Sequence, residues 1–559
     1  MSVRQYNAGD VILREGAVGD TAYLIERGRV AVTKELHGQP IVLGLLGVGE
    51  IFGEMSLIDE APRSATVTAM EETVVREIQQ EELFQSVHSD PNMVLHLLRR
   101  LFARLRDAHI AILQYPFVDR LYGELLERGV HYFFPTSHLR VLGPLPASRP
   151  RSPAAAPPEA MLELEWGGGR YTLTTPGQPF TAHEARLLHS IGAVLSMRYQ
   201  LLFTTELAAQ SFHLFQGILE DRYVSAFLEP ALYQSVEALA HLPDRVAAAI
   251  EVLRVSALTT YENRPITTGV LLVGPSPDPY HALVPSPPDA LPYASALTAI
   301  HSFHRLCDAL QTVALVNAEG RLSAIIDIQD WAQPLASRPL PVPSASRYQA
   351  HSRATLCSGH LCLILTPHGE IKVFADGVQV FNFLHGQWHL TDAVAKYQRW
   401  QQALGDVPLA ERLFTAAVNL AEDRHGGLLV VVDDGATVEQ FVTPSDRLGP
   451  EPSLAPGQPP YTKEHLHYLL RHTNVRTLAP AVLETLARMD GAMVLDREAH
   501  LLAFGAILRF PIAVDVSAEA TEGGRTTAAL AASRFGNVLK ISEDGVIAFF
   551  QHGECRWEL

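Results

Sequence analysis

Cysteine is scarce in this chain: four residues in 559, at positions 307, 357, 362 and 555. So few and so scattered, they exclude a disulfide framework and agree with a reducing compartment. Cys357, His360 and Cys362 lie close together, but their spacing is not that of a zinc site, and LCLIL around Cys362 reads as a buried strand. Long apolar runs are missing too. A membrane-spanning helix needs about 18 apolar residues in a row, and the opening MSVRQYNAGD has no apolar stretch of the kind that leads a secretory signal. The expectation is a cytoplasmic protein with no membrane partner. Positive charge is short as well: 44 Lys and Arg stand against 61 Asp and Glu, a net charge of −17. A broad grip on duplex nucleic acid needs clustered cations, so nucleic acid is not an expected partner. The local exception, LLRRLFARLRDAH (97–109), places Arg99, Arg100, Arg104 and Arg106 on an amphipathic helix and reads as its solvated side. A phosphate loop, a dinucleotide glycine fingerprint and a nucleophile with a partnered histidine are also lacking.

What is present is a globular composition, 47% hydrophobic and 19% charged, long enough for three or four domains with a core each. The first hundred residues alternate apolar and polar positions in short runs, broken at Gly9, Gly16, Gly19 and Gly28 at intervals that suit hairpin turns. That pattern predicts a small β-roll. Inside it, FGEMSLIDEAPRSATV (52–67) sets Glu54 and Arg63 nine residues apart. A short helix starting at Gly53 would aim its unpaired N–H groups at an anion. A guanidinium makes paired, charge-assisted bonds to phosphate oxygens, and a carboxylate accepts from a sugar hydroxyl. Together the two groups suit a ribose phosphate.

Phe52, Gly53, Glu54, Pro62, Arg63, Ser64 and Ala65, with Gly19, Asp20 and Gly28 ahead of them, resemble the phosphate-binding cassette of the cyclic-nucleotide-binding domains of catabolite activators and cyclic-AMP-dependent kinases. The resemblance covers roughly residues 5–110. It implies that Glu54 holds the ribose 2′-hydroxyl and that Arg63 and Ser64 hold the cyclic phosphate. Cyclic AMP and cyclic GMP both remain open as ligand.

Further along, a proline- and alanine-rich linker at 144–158 precedes strand-like residues and a helix capped by Thr181 and Glu184, whose end resembles a small-ligand sensor domain of the GAF type. Residues 205–256 are helical in pattern; strand signals then follow to about 390. The expected fold is multidomain α+β: a roll with flanking helices over 1–114, a small α/β region over 115–204, a helical segment and α/β domain over 205–395, and an α/β domain with a mixed sheet over 396–559.

The last third resembles the diadenylate cyclase (DAC) domain, which joins two ATP molecules across a face-to-face dimer into cyclic di-AMP. The likeness rests on Asp490-Gly491-Ala492 after a helix, on Gly523-Gly524 opening another, and on Ser542-Glu543 before the last turn. It implies a nucleotide site at Asp490, Gly491, Ala492, Gly524, Arg525, Thr526 and Thr527, with Asp490 holding Mg²⁺ or Mn²⁺ for catalysis. Activating a 3′-hydroxyl against an α-phosphate calls for such a metal. Where the family has Arg-His-Arg, this chain has Arg525-Thr526-Thr527. One lost arginine removes a charge-assisted contact of roughly 1.5–3 kcal/mol and harms the departure of pyrophosphate more than ground-state binding. The expectation is therefore a cyclic-nucleotide-responsive signalling protein, with a second copy of itself among the candidate partners, whose last domain senses an adenine nucleotide or cyclic dinucleotide. The alternatives are a cyclic-AMP-gated diadenylate cyclase and a cyclic-nucleotide-responsive transcription regulator. Against the second, residues 110–160 carry prolines and aromatics where a recognition helix should lie.

Overall fold

The computed structural model describes residues 3–19, 21–36, 39–53, 62–79, 116–134, 140–142, 160–166, 169–175, 180–201, 218–235, 238, 242–261, 264–281, 290–300, 302–448, 463–509 and 523–559. The roll consists of two four-stranded antiparallel sheets. One has the order β1-β8-β3-β6, from β1 (Val3–Tyr6), β3 (Thr21–Arg27), β6 (Ile51–Phe52) and β8 (Thr73–Gln79). The other runs β2-β7-β4-β5, from β2 (Val11–Leu13), β4 (Val30–Leu36), β5 (Gln39–Leu46) and β7 (Thr66–Ala69). Alternation puts Val67 and Ala69 of β7 inside while Thr66 and Thr68 lie nearer the surface. Tyr23, Ile25, Val30, Leu46, Phe52, Val67 and Val75 close the core between the sheets. Gly28 makes the β3–β4 turn at φ +90°, where a Cβ would lie 2.6 Å from the Glu72 carbonyl oxygen.

A three-stranded antiparallel sheet, β10-β11-β9, joins β9 (Arg140–Leu142), β10 (Ala160–Trp166) and β11 (Gly169–Thr175). Helices α1 (Pro116–Phe133), α2 (Ala182–Leu201), α3 (Leu219–Leu228) and α4 (Arg245–Ala257) supply side chains to one large core. The sequence-predicted cap of α2 is a reciprocal pair. The Thr181 N–H donates to Glu184 (2.8 Å), and the Glu184 N–H donates to the Thr181 hydroxyl (3.1 Å). After a two-stranded ribbon, β12 (Thr260–Tyr261) and β13 (Arg264–Pro265), these helices cover one face of a seven-stranded mixed sheet. Its order is β16-β15-β14-β17-β18-β19-β20, from β14 (Thr268–Leu272), β15 (Thr312–Val316), β16 (Leu322–Asp327), β17 (Leu361–Leu365), β18 (Ile371–Ala375), β19 (Val378–Leu384) and β20 (Gln387–Leu390). The other face packs against α5 (Ile328–Ala332), α6 (Gln349–Ala354) and their flanks.

The C-terminal sheet has the order β23-β22-β21-β24-β25-β26, from β21 (Gly427–Val432), β22 (Ala492–Leu495), β23 (Leu501–Ala506), β24 (Gly536–Ile541), β25 (Ile547–Gln551) and β26 (Glu554–Glu558). Its six strands repeat six of the seven in the middle sheet, in the same order, with no counterpart to β20. β14 pairs parallel with β15 and antiparallel with β17, as β21 does with β22 and β24. Ala375↔Val378 and Phe374↔Gln379 precede a bulge, then Val373↔Phe381; Gln551↔Glu554 and Phe550↔Cys555 precede a bulge, then Phe549↔Trp557. Left-handed residues recur in step at Asp376 and His552, Gly377 and Gly553, Gly369 and Gly545, Gly320 and Ala499. The middle and C-terminal sheets are thus two copies of one fold. α7 (Ala393–Leu404), α8 (Val407–Glu422), α9 (Val438–Phe441), α10 (Lys463–Leu470), α11 (Pro480–Ala487) and α12 (Gly524–Ala532) complete the second copy. Among the described residues, no helix is long and apolar enough to cross a membrane.

His360, weighed with Cys357 and Cys362 in the sequence, has other partners. Its Nε2 lies 2.7 Å from Asp278 Oδ2, and His281 Nδ1 approaches the same oxygen at 2.7 Å, while Cys362 is buried in β17. Burial alone would raise the Asp278 carboxyl, but the His360, Tyr280 N–H and His281 hydrogen bonds outweigh it and hold the group at about 2. A carboxyl depressed in the fold adds stability above its unfolded value near 4 and loses it as pH falls toward 2. We expect Asp278→Asn to cost on the order of 2 kcal/mol at pH 7 and to flatten the stability profile between about pH 4 and pH 2, read by urea denaturation; parallel profiles for the two proteins would refute this.

Candidate functional site

Arg63 immediately precedes the turn into β7, and its backbone is tied in both directions to the loop before β3. Its N–H donates to the Ala17 carbonyl and its own carbonyl accepts from the Gly16 N–H, each at 2.8 Å. The side chain is 5% exposed. Nη1 donates to the Gly53 carbonyl (2.6 Å) and Nη2 to the Thr21 carbonyl (2.7 Å). These bonds fix the plane of the guanidinium within the roll. Charged phosphate oxygens accept more strongly than neutral carbonyls, so a phosphate can compete for the same fork.

Two glycines make room for it. A Cβ on Gly19 would lie 2.6 Å from Arg63 Nη2, and one on Gly53 would lie 2.8 Å from Nη1. Gly19 is therefore a packing position against Arg63; a hairpin turn was expected there. Gly53 itself adopts φ +77°. Ser64 is exposed beside Arg63, and Ala65 turns inward. Tyr23 and Phe52 stack at 5.3 Å between ring centroids on neighbouring strands, anchoring the segment that leads to Gly53. Glu54, the helix expected after Gly53 and the arginine-bearing helix at 97–109 lie outside the described residues.

In the second copy, the sequence-predicted residues gather at one end of the sheet. β22 runs parallel to β21 with Ala492 opposite Leu428, so Asp490 and Gly491 stand at the N-terminal end of β21. Gly491, at φ +110°, packs against Gly505 and Ala506 so closely that a Cβ would lie 2.6 Å from the Gly505 carbonyl carbon. β24 is antiparallel to β21, and α12 leads into it, so the start of α12 returns to the same end. There Arg525 lies over Gly426, whose Cβ would lie 2.0 Å from Nη1, and it pairs with Glu543 at 2.8 Å on the surface. Asp490, Gly524 and Thr527 are exposed and Ala492 is buried.

Thr526 departs from expectation. It is buried, and its hydroxyl accepts from Lys540 Nζ at 2.9 Å, so it faces the sheet and is not offered at the helix start. The bond brings in a cation that sequence reasoning missed, because Lys540 sits on β24 and only strand register carries it beside α12. Arg525 and Lys540 thus give this end of the sheet two positive charges. A single exposed carboxylate, Asp490, is compatible with Mg²⁺, which commonly takes one or two carboxylates and completes its shell with water and phosphate oxygens.

The Asp278, His281 and His360 cluster offers no comparable site. His360 Nδ1 accepts from the Gly274 N–H at 2.8 Å, so in the neutral ring Nε2 carries the proton and has no lone pair for a cation. His281 donates from its other nitrogen to the Trp331 carbonyl and stacks on the Trp331 ring at 3.9 Å.

Residues 3–90 match the model of the cyclic nucleotide-binding domain family. The chain is 37% identical over 110 residues to the cyclic AMP receptor protein of Thermus thermophilus, covering 20% of this chain and 51% of that protein. It is 40% identical over 86 residues to human cGMP-dependent protein kinase 2, covering 15% of this chain and 11% of the kinase. The chain thus spans about half the length of the first relative and a ninth of the second. Among solved structures, the Thermus thermophilus catabolite activator protein aligns at 35% identity over 23% of this chain and 59% of that one, with a TM-score of 0.20. The sequence matches fall on the roll that holds Arg63. Its N-terminal segment, residues 3–90, is a cyclic nucleotide-binding domain.

Proposed function

We propose that the protein is a cyclic-nucleotide-responsive signalling protein in which the roll binds a cyclic mononucleotide and the C-terminal sheet end senses an adenine nucleotide or cyclic dinucleotide. The observation that carries the first half is the buried Arg63, its guanidinium plane set by the Gly53 and Thr21 carbonyls inside a domain of the cyclic nucleotide-binding family. Arg63 and the adjacent Ser64 hold the cyclic phosphate, and Glu54 takes the ribose hydroxyl. Cyclic AMP and cyclic GMP both suit this chemistry, and relatives named for each match the roll.

The second half rests on the convergence of Asp490, Gly491, Arg525 and Lys540 on one end of the second sheet. Two cations beside a helix start suit phosphates. Thr526 and Thr527 in place of the DAC family's second and third motif residues weaken transition-state stabilisation more than binding, which favours sensing over turnover. The cyclase reading keeps one specific support: Lys540 brings a second cation to the start of α12, beside Thr526 and not at the Thr527 position where the DAC family has its second arginine. In that reading Asp490 would hold the Mg²⁺ or Mn²⁺ that lowers the pKa of a 3′-hydroxyl.

Arg63→Ala should weaken cyclic-nucleotide binding by on the order of 10-fold or more, measured by titration calorimetry; an absence of binding heat with both cyclic AMP and cyclic GMP in the unmutated protein would overturn the roll assignment. At the other end of the chain, Lys540→Met should weaken ATP binding by roughly tenfold, as expected for one charge-assisted contact. Asp490→Asn should change nucleotide affinity and leave cyclic di-AMP levels in cells unaltered. Should the intact protein instead form cyclic di-AMP with Mn²⁺ or Mg²⁺ at about 1 s⁻¹ or faster, the sensor reading yields to the cyclase.

A further inference from the structure

Between the two copies of the fold lies a cavity of 420 Å³, within the range of small-molecule sites, which favour domain interfaces. Its floor is the face of the first sheet that also carries Phe374. Across β18, β19 and β20, Lys372 stands opposite Asn382 and Asn382 opposite His389, a polar row in a sheet whose next strand offers Ile364. Facing walls come from α7, through Lys396, and from α8, through Phe414 and Val418.

The polar groups in this cavity are unequally satisfied. Lys372 is answered by Glu422 at 2.5 Å, and Glu370 is paired with Arg424. Among the described residues, nothing donates a hydrogen bond to the buried Asn382 Oδ1, which costs free energy until a donor reaches it. Among the described residues, Lys396 Nζ donates to the neutral carbonyl of Thr391. Burial pushes its amine down to about 8 despite the nearby carboxylates of Asp392, Glu184 and Glu558. Its ammonium is under-compensated where it stands. The chain's use of basic residues sharpens the point: it has 39 arginines and only five lysines, yet two of those five line this one cavity. Lysine differs from arginine in offering a compact, flexible point charge.

We propose that the cavity between the two copies is a second ligand site, taking a small planar molecule with one acidic group and one N–H or O–H donor. Lys396 holds the acid, the Asn382 carbonyl oxygen takes the donor, and Phe414 and Val418 cover the ring. Arg63, Asp490, Arg525 and Lys540 are not among the residues that line it.

Pyridoxal 5′-phosphate is a suitable probe, since it combines an aromatic ring, a phosphate and a hydroxyl with an aldehyde that records the amine it meets. The unprotonated Lys396 Nζ adds to the aldehyde carbon, the aldehyde oxygen leaves as water, and a C=N bond forms. Borohydride then delivers hydride to the imine carbon and water supplies the proton to nitrogen, leaving a stable secondary amine. With the full chain and limiting probe, peptide mass spectrometry should find Lys396 modified at least about tenfold faster than Lys34, which is partly exposed on the roll. Asn382→Leu should reduce Lys396 labelling by about tenfold and leave Lys34 unchanged. Lys396 labelled no faster than Lys34 in the unmutated chain overturns the proposal, whether or not the variant folds. Equal Lys396 labelling in the folded Asn382→Leu variant and the unmutated chain does so as well.

Discussion

Two buried charged side chains and their two half-buried partners constrain how the two copies of the fold meet. Glu370 and Lys372, at 3% and 5% exposure, flank the start of β18, and Glu422 and Arg424 answer them from the end of α8 and the turn after it. Burying Glu370 and Lys372 is costly, and removing a partner would leave a buried charge uncompensated. A slide of α8 along the sheet would break these pairs together with the bonds between Asn419 and Ser346. These four residues, Glu370, Lys372, Glu422 and Arg424, also line the cavity that Asn382 and Lys396 share.

The two copies share strand order, bulges and left-handed turns, yet their equivalent ends differ. Counting back from the matched strands, Gln311 stands where the second copy has Asp490. In the first copy the loop at that end is tied to itself and to α6: Asp308 accepts from the N–H groups of Leu310, Gln311 and Thr312, and His351 donates to the Ala309 carbonyl from a fully buried position. Burial pushes His351 down to about 4, so it stays neutral and suited to that bond. In the second copy Asp490, Arg525 and Thr527 remain at the surface. The equivalent ends of one scaffold thus carry different polar groups, Asp308 and His351 in the first copy and Asp490, Arg525 and Lys540 in the second.

Much of the roll could be read from residues alone, because its information is local. Turn glycines, alternating strands and the Gly53-to-Arg63 segment are short-range features, and the Thr181 and Glu184 cap formed as its spacing implies. The misreadings share a different cause. Gly19 looked like a turn, but its constraint comes from Arg63, 44 positions away in sequence. His360 was weighed with nearby cysteines, while its partners are Asp278 and Gly274, across β14 and β17. Thr526 looked like an exposed helix-start hydroxyl until β24 brought Lys540 to it.

Residue order alone fixes the succession of elements, the apolar strands, the presence of a guanidinium at Arg63 and the acidic balance that argues against a general nucleic-acid grip. These depend on periodicity, backbone preference and the functional groups themselves. The tertiary structure alone decided that the middle and C-terminal sheets are duplicates. TGVLL and GLLVVV share little beyond being apolar, and any apolar run can fill a central strand buried on both faces. Their equivalence resides in hydrogen-bond register and left-handed backbone positions. The pairing of Lys540 with Thr526, the polar row Lys372–Asn382–His389 and the cavity above it were likewise set only when strands distant in the chain came into register.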